Sequence, residues 1–326
     1  MPTAELAEAT EPPATTQESH EIAGTEVQVD TESTEQLVKA AKEGELKTVT
    51  DLLALSKTQI NSKYNGWTAL GSAAREGHIE IVRLRVRNGA KLEILMDVGW
   101  GVLPGDGTAL NWAAERGHLG IVKLLVAEGA KLDVVAKTPA FFGTGGSPLK
   151  MAAGKGHLEV VKFLFASGAE IDTPEESRGW DAFLCACEQG ELDMVKYFVS
   201  VRGLPVDRRD STGRRPLEAA AKEERIEVME YLETKGANLK ATNADGSSLL
   251  HLAAEKGKLK TAVWLAKRGV DRKVENAAGD TPRDIAKQRM TKDNTEKNQA
   301  LDKCLDWEVT PRVASIEDPD TGCVVM

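Results

Sequence analysis

Ala69-Leu70-Gly71-Ser72-Ala73-Ala74-Arg75-Glu76-Gly77-His78-Ile79-Glu80-Ile81-Val82 is the stretch that decides the fold, because the chain writes it again. It returns as Ala-Leu-Asn-Trp-Ala-Ala-Glu-Arg-Gly-His-Leu-Gly-Ile-Val from Ala109 to Val122, and as Pro-Leu-Lys-Met-Ala-Ala-Gly-Lys-Gly-His-Leu-Glu-Val-Val from Pro148 to Val161. Working outward, one anchoring position per copy can be followed through Leu37, Leu70, Leu110, Leu149, Phe183, Leu217, Leu250 and Arg283. The spacings are 33, 40, 39, 34, 34, 33 and 33 residues. A period of this size describes a stack of small units that each bury only part of their apolar surface alone.

Every unit has the same physical logic. A turn containing glycine (Gly66, Gly145, Gly179, Gly213, Gly246, Gly279) leads into a short helix. Small pairs such as Ala73-Ala74, Ala113-Ala114, Ala152-Ala153, Ala220-Ala221 and Ala253-Ala254 let neighbouring helices approach closely. Seven residues after the anchor, Gly44, Gly77, Gly117, Gly156, Gly190 and Gly257 permit the left-handed conformation that ends a helix. A second amphipathic helix follows, as in Ile121, Val122, Leu124 and Leu125.

These residues resemble the ankyrin repeat, whose pattern runs near Gly-x-Thr-Pro-Leu-His-x-Ala-Ala-x-x-Gly-His, a helix, then Gly-Ala. The match is fullest over 66–92, 145–172 and 246–271. The fifth unit departs from it with Phe183 and Cys185-Ala186-Cys187, and the sixth carries Glu224 where glycine stands elsewhere. The resemblance implies an all-α solenoid of about eight helix-turn-helix units joined by short β-hairpin-like turns. It also implies a protein partner, held at the hairpin tips and on the exposed side of the first helices.

Composition divides the rest. Residues 1–33 hold eight acidic residues and no lysine or arginine, although the whole chain is only −9. The body from 34 to 310 is therefore close to neutral, at about +1. No basic stripe is visible, so nucleic acid is not an expected partner. The reading gives a disordered acidic tail at 1–32, a repeat array at 33–289, a capping helix at 290–310 and a flexible tail at 311–326. The first helix is expected to start at the Ser33-x-x-Gln36 capping box. Two spacings exceed the ruler, which enlarges the loops at 92–106 and 132–145.

Residue types that suggest chemistry resolve into structure. His78, His118 and His157 each follow a helix-ending glycine, and the resemblance assigns them hydrogen bonds to neighbouring units. Cys185 and Cys187 sit two apart on a helix and point about 200° from each other, which does not suit a metal. Gly143-Thr144-Gly145-Gly146 lacks the following Lys-Ser/Thr of a phosphate loop. No catalytic motif is present, so no enzyme activity, metal or cofactor is expected.

Two sets of functional candidates remain. Trp67, Trp100, Phe141, Phe142 and Trp180 fall on tips or enlarged loops, and Arg214 occupies a tip. Exposed aromatics on rigid elements serve as binding anchors; against that stands the alternative that the long loops fold back and bury them. Cys323-Val324-Val325-Met326 resembles a CaaX prenylation box. That resemblance implies farnesylation of Cys323 by protein farnesyltransferase, then cleavage and methylation by the CaaX-processing enzymes. One lipid gives marginal membrane binding, and the acidic run Glu317-Asp318-Pro319-Asp320 would be repelled by anionic lipid. The expectation is a cytoplasmic scaffold bound reversibly to membrane surfaces. The alternative is a soluble ankyrin-type inhibitor or transcriptional cofactor.

Overall fold

The computed structural model describes residues 31–55, 60–96, 98–100, 103–136, 146–171, 181–210, 213–290, 295–306, 316–317 and 324–325. The regions expected to be disordered or flexible at 1–32 and 311–326 lie almost wholly outside them.

Eight helix pairs follow one another. They are α1 (Thr31–Glu43) with α2 (Leu46–Leu55), α3 (Ala69–Glu76) with α4 (Ile79–Arg87), and α5 (Ala109–Glu115) with α6 (Leu119–Ala127). Next come α7 (Pro148–Gly154) with α8 (Leu158–Ala166), α9 (Ala182–Gln189) with α10 (Leu192–Lys196), and α11 (Pro216–Lys222) with α12 (Ile226–Thr234). The last are α13 (Leu249–Lys256) with α14 (Leu259–Lys267), and α15 (Pro282–Met290) with α16 (Glu296–Leu305). First helices pack on first helices and second helices on second helices, so the core is one continuous seam. The chain is a solenoid, as the repeat predicts. Helix α1 begins at Thr31, two residues ahead of the Ser33 start, a difference within ordinary fraying of helix ends.

Local chemistry places each first helix. Thr68 Oγ1 accepts from Gly71 N (3.0 Å), Ser147 Oγ from Lys150 N (3.3 Å) and Asp181 Oδ1 from Leu184 N (2.8 Å). Caps of this kind are each worth about 1 kcal/mol. The alanine pairs then disappear into the seam, with Ala73, Ala74, Ala113 and Ala114 all at 0% exposure.

The helix-ending glycine has two reasons to be glycine. Gly77 and Gly117 adopt φ of 92° and 75°, and a Cβ at either would strike the imidazole of the next unit's histidine at 2.8 and 2.5 Å. Those histidines tie unit to unit. His78 Nε2 donates to Lys42 O (2.9 Å), His118 Nε2 to Arg75 O (2.9 Å) and His157 Nε2 to Glu115 O (2.8 Å). Arg225 and Arg289 make the same bond farther along, to Glu188 O and Glu255 O, both at 2.9 Å. Glu191, which lies against Gly156, stands where the neighbouring units carry an imidazole or guanidinium donor. Glu224 keeps the left-handed conformation without glycine, at φ 56°. Its carboxylate accepts from Lys260 N at 2.8 Å, at the start of α14.

Two departures from the ruler acquire explanations. In the fifth unit α10 runs into a π-helical turn, Tyr197–Val201, with Phe198 fully buried. The closing Gly203 lies twelve residues after Glu191, whereas Gly89, Gly129 and Gly168 lie eleven after the equivalent histidines. A π-turn is how a helix absorbs one added residue. In the enlarged loop at 92–106 the added chain forms a hairpin, β3 (Val98–Trp100) with β4 (Leu103–Gly105). It continues the junction made by Met96 N donating to Gly107 O (2.9 Å).

The capping helix has a more specific place than a lid. Helix α16 packs on α14 and α15 and so completes the eighth pair. Leu301 and Leu305 are at 0% exposure. Arg283, the polar residue at the eighth anchor, reaches this helix through Asp302 (3.0 Å) and Asp306 (2.7 Å).

Candidate functional site

The first hairpin organises the site. Strands β1 (Lys63–Tyr64) and β2 (Trp67–Thr68) pair antiparallel across Asn65-Gly66. Both turn residues have positive φ, 47° and 79°, which is the type I′ arrangement whose twist suits a two-residue hairpin. Tyr64 and Trp67 are therefore cross-strand neighbours beside the first helices α1 and α3.

Trp67 is half-buried. Its indole tilts against that of Trp112 on α5, with ring centroids 5.2 Å apart, and Trp112 in turn packs on Met96. The guanidinium of Arg75 on α3 lies over both, 5.3 Å from Trp67 and 5.9 Å from Trp112. Lys39 on α1 stands 5.9 Å over the Tyr64 ring and pairs with Glu35 at 2.6 Å. The bonds from Lys39 and Tyr64 hold the Glu35 carboxyl below its ordinary pKa. Between hairpin and helices lies a cavity of about 210 Å³, lined by Val38, Lys39, Lys42, Tyr64, Asn65, Trp67, Ser72, Arg75 and Glu76.

Later units present a different surface. Lys222 pairs with Glu188 (2.7 Å) and contacts Glu223 (3.7 Å), which in turn meets Lys258 (3.5 Å). Asp181 pairs with Arg208 at 3.1 Å. Arg214 turns back on Asp210, with Nε and Nη2 donating to one oxygen at 3.1 and 2.9 Å, just ahead of α11. Charges here are matched within the protein.

Of the residues singled out from sequence, Trp67 lies on the β1–β2 hairpin and Arg214 just ahead of α11, four units apart. Trp100 ends β3, paired with Leu103. Phe141, Phe142, Trp180 and Cys323 lie outside the described residues, although Val324-Val325 pairs with Ile316-Glu317. Sequence reasoning missed Tyr64, Lys39 and Lys42 as neighbours of Trp67. The Asn-Gly turn was the signal that would have placed Tyr64 opposite it.

Cys185 and Cys187 are buried, and burial pushes the first thiol to about 11 and the second well up. That is the reverse of what a thiolate ligand needs. Among the described residues no group of three or more His, Cys, Asp or Glu is placed to hold a metal. No helix among them is long and apolar enough to cross a membrane.

The model of ankyrin repeats (three copies) matches residues 37–138, 86–175 and 149–243, more than half of the chain. The chain belongs to the ankyrin repeat family. A crystal structure of the human ASB11 ankyrin repeat domain is similar to it at 30% identity. The likeness covers 71% of this chain and 96% of that one, with a TM-score of 0.57. As an ankyrin repeat protein it is an interaction scaffold, and ankyrin proteins in general are binding modules without catalysis. In ankyrin terms the histidine after the first-helix anchor survives as His251, which accepts from Ser248 and donates to Asp280 O (2.9 Å). Asn111 takes the same place in the third unit. Its amide donates to Val134 O and Gly146 O, both 3.0 Å, and its carbonyl accepts from Thr108 N at 3.0 Å.

Proposed function

We propose that this ankyrin protein is a non-enzymatic adaptor that holds a partner in the groove beside β1–β2 and is brought to cytoplasmic membrane surfaces by a prenyl group on Cys323. The observation that carries the binding half is the Tyr64–Trp67–Arg75–Trp112 cluster. It sets aromatic faces and a cation on rigid elements, the composition of binding hot spots. The anchoring half is supported by the Cys-Val-Val-Met pattern, which suits protein farnesyltransferase and the enzymes that trim and methylate its products. Cys304, buried in α16 at 5% exposure, is no second acylation site. A single lipid without basic neighbours makes the anchor weak and reversible, so membrane residence tracks the state of Cys323. Confining a scaffold and its cargo to a surface raises their effective concentration there.

Intact mass of the protein from its own cells, beside Cys323→Ser, tests the anchor. Farnesyl addition with loss of three residues, absent from the variant, supports it. An unmodified Met326 terminus leaves a soluble binder.

A further inference from the structure

The cavity between β1–β2 and helices α1 and α3 is built for an acidic side chain, and we propose that the groove binds a partner segment presenting Asp or Glu beside an aliphatic residue. This rests on the reading of the groove as the partner-binding surface.

The size selects the occupant first. At about 210 Å³ the cavity is smaller than the roughly 300–1,000 Å³ that small-molecule sites enclose. It has room for one side chain of an extended peptide. Charge selects next. Of the lining residues, Lys39, Lys42 and Arg75 are cations and Glu76 is a carboxylate. Lys39 is paired with Glu35 (2.6 Å) and Arg75 with Glu76 (2.9 Å), which leaves Lys42 as the uncompensated charge. Exposed Lys42 has no ion-pair partner among the described residues, in contrast to the matched lysines of units five to seven.

Arg75 supplies the directional part. Its Nη1 donates to Glu76 at 2.9 Å, and its Nε is buried without an acceptor. The guanidinium is fixed by its place over Trp67 and Trp112. A planar fork already held in position loses little freedom when a planar carboxylate meets it. Tyr64, Trp67 and Val38 form apolar walls for the methylene stem and its aliphatic neighbour. In the later units Lys222 is matched by Glu188, Arg214 by Asp210 and Arg208 by Asp181, whereas Lys42 at the N-terminal end stands beside the Arg75 guanidinium in one cavity.

The test is fluorescence anisotropy on the full-length protein. The probe is a fluorescein-labelled peptide of sequence Gly-Leu-Glu-Glu-Leu-Gly, beside versions with Gln or Lys for both Glu. The Glu peptide should bind at least tenfold more tightly than the Gln peptide and weaken with added salt. Arg75→Gln should cost about tenfold. Lys42→Glu, at an exposed position that leaves the fold intact, should cost about fivefold and improve binding of the Lys peptide. Equal binding of the Glu and Gln peptides, no binding of either, or indifference to Lys42→Glu overturns the proposal. A photo-crosslinker at Asn65 separates this from the wider reading. Crosslinks to a partner segment without Asp or Glu refute the acid preference while leaving the groove as the binding surface. Absence of any crosslink at Asn65 removes both.

Discussion

Replacing Arg85 with leucine should make this protein more stable, and the size of the gain can be worked out. Arg85 lies on α4 at a position that Leu125, Leu164, Phe198, Leu232 and Leu265 fill in later units, and like them it is at 0% exposure. One of its nitrogens, Nη2, donates to Ile60 O, while Nε and Nη1 are buried without partners. Burial pushes its pKa down to about 10. At 1.36 kcal/mol per pH unit, the fall from the ordinary arginine value costs about 3 kcal/mol at neutral pH. Leucine removes that cost. It adds about 1.5–3 kcal/mol of apolar burial, against about 1–3 kcal/mol for leaving Ile60 O without a donor. The net gain is about 3 kcal/mol. With a urea slope of about 1–3 kcal/mol per molar, the midpoint moves up by about 1–3 M.

The assay is urea unfolding at pH 7, followed by far-ultraviolet circular dichroism and by tryptophan emission, which reports Trp67 and Trp112 next to the altered unit. The pH dependence gives a second signature. The folded pKa lies below the unfolded one, so between about pH 10 and the ordinary arginine value the unfolded chain binds more protons. Native stability therefore gains from this group as pH rises through that window. Arg85→Leu removes the gain, and the difference between the two proteins should shrink above pH 10. An equal or lower midpoint for the leucine variant at pH 7 would refute the reasoning.

Other substitutions test the links between units. Glu191→His should supply the missing donor and raise stability by about 1 kcal/mol, read as an increased melting temperature; no change would mean that the interface had already adapted. Gly117→Ala should cost about 2 kcal/mol or more, since it adds left-handed strain to a clash with His157, and urea unfolding measures it. Glu224→Ala should cost about 1 kcal/mol through loss of the bond to Lys260 N. Glu224→Gly should cost about 1 kcal/mol less than the alanine variant, because it also relieves the positive φ; equal costs would show that Glu224 is unstrained. Arg283→Leu should loosen α16 selectively, seen as faster amide exchange over Glu296–Leu305 with α3 and α5 unchanged.

What could be read from sequence follows from where the information is stored. The helix pairs were legible because each is specified locally, by a cap such as Thr68, a small pair such as Ala73-Ala74 and an ending glycine such as Gly77. The histidine bonds between units were legible through the resemblance. Their continuation through Arg225 and Arg289 was not, because a different residue performs the same bond. Helix α16 was expected as a cap, yet its role as the second helix of the eighth unit was hidden. It has no Gly-His before it, and its grip on the array passes through Arg283, a residue that looks like a broken anchor. The groove was half legible. Trp67 stood out by type and position, while Lys39, Tyr64 and Arg75 come from three separate elements and meet only once the units are stacked.

The π-turn at Tyr197–Val201 bears on how such an array can change length. Every first helix through the seventh unit places its ending residue seven after the anchor, whereas added residues appear in the hairpin at 92–106 and within the second helix of unit five. The row that lines the groove is thus intolerant of insertion or deletion, and the outer row and the tips absorb it. Tags, linkers or spectroscopic probes belong at exposed Ser200. A single residue added between Leu70 and Gly77 would throw the groove out of phase.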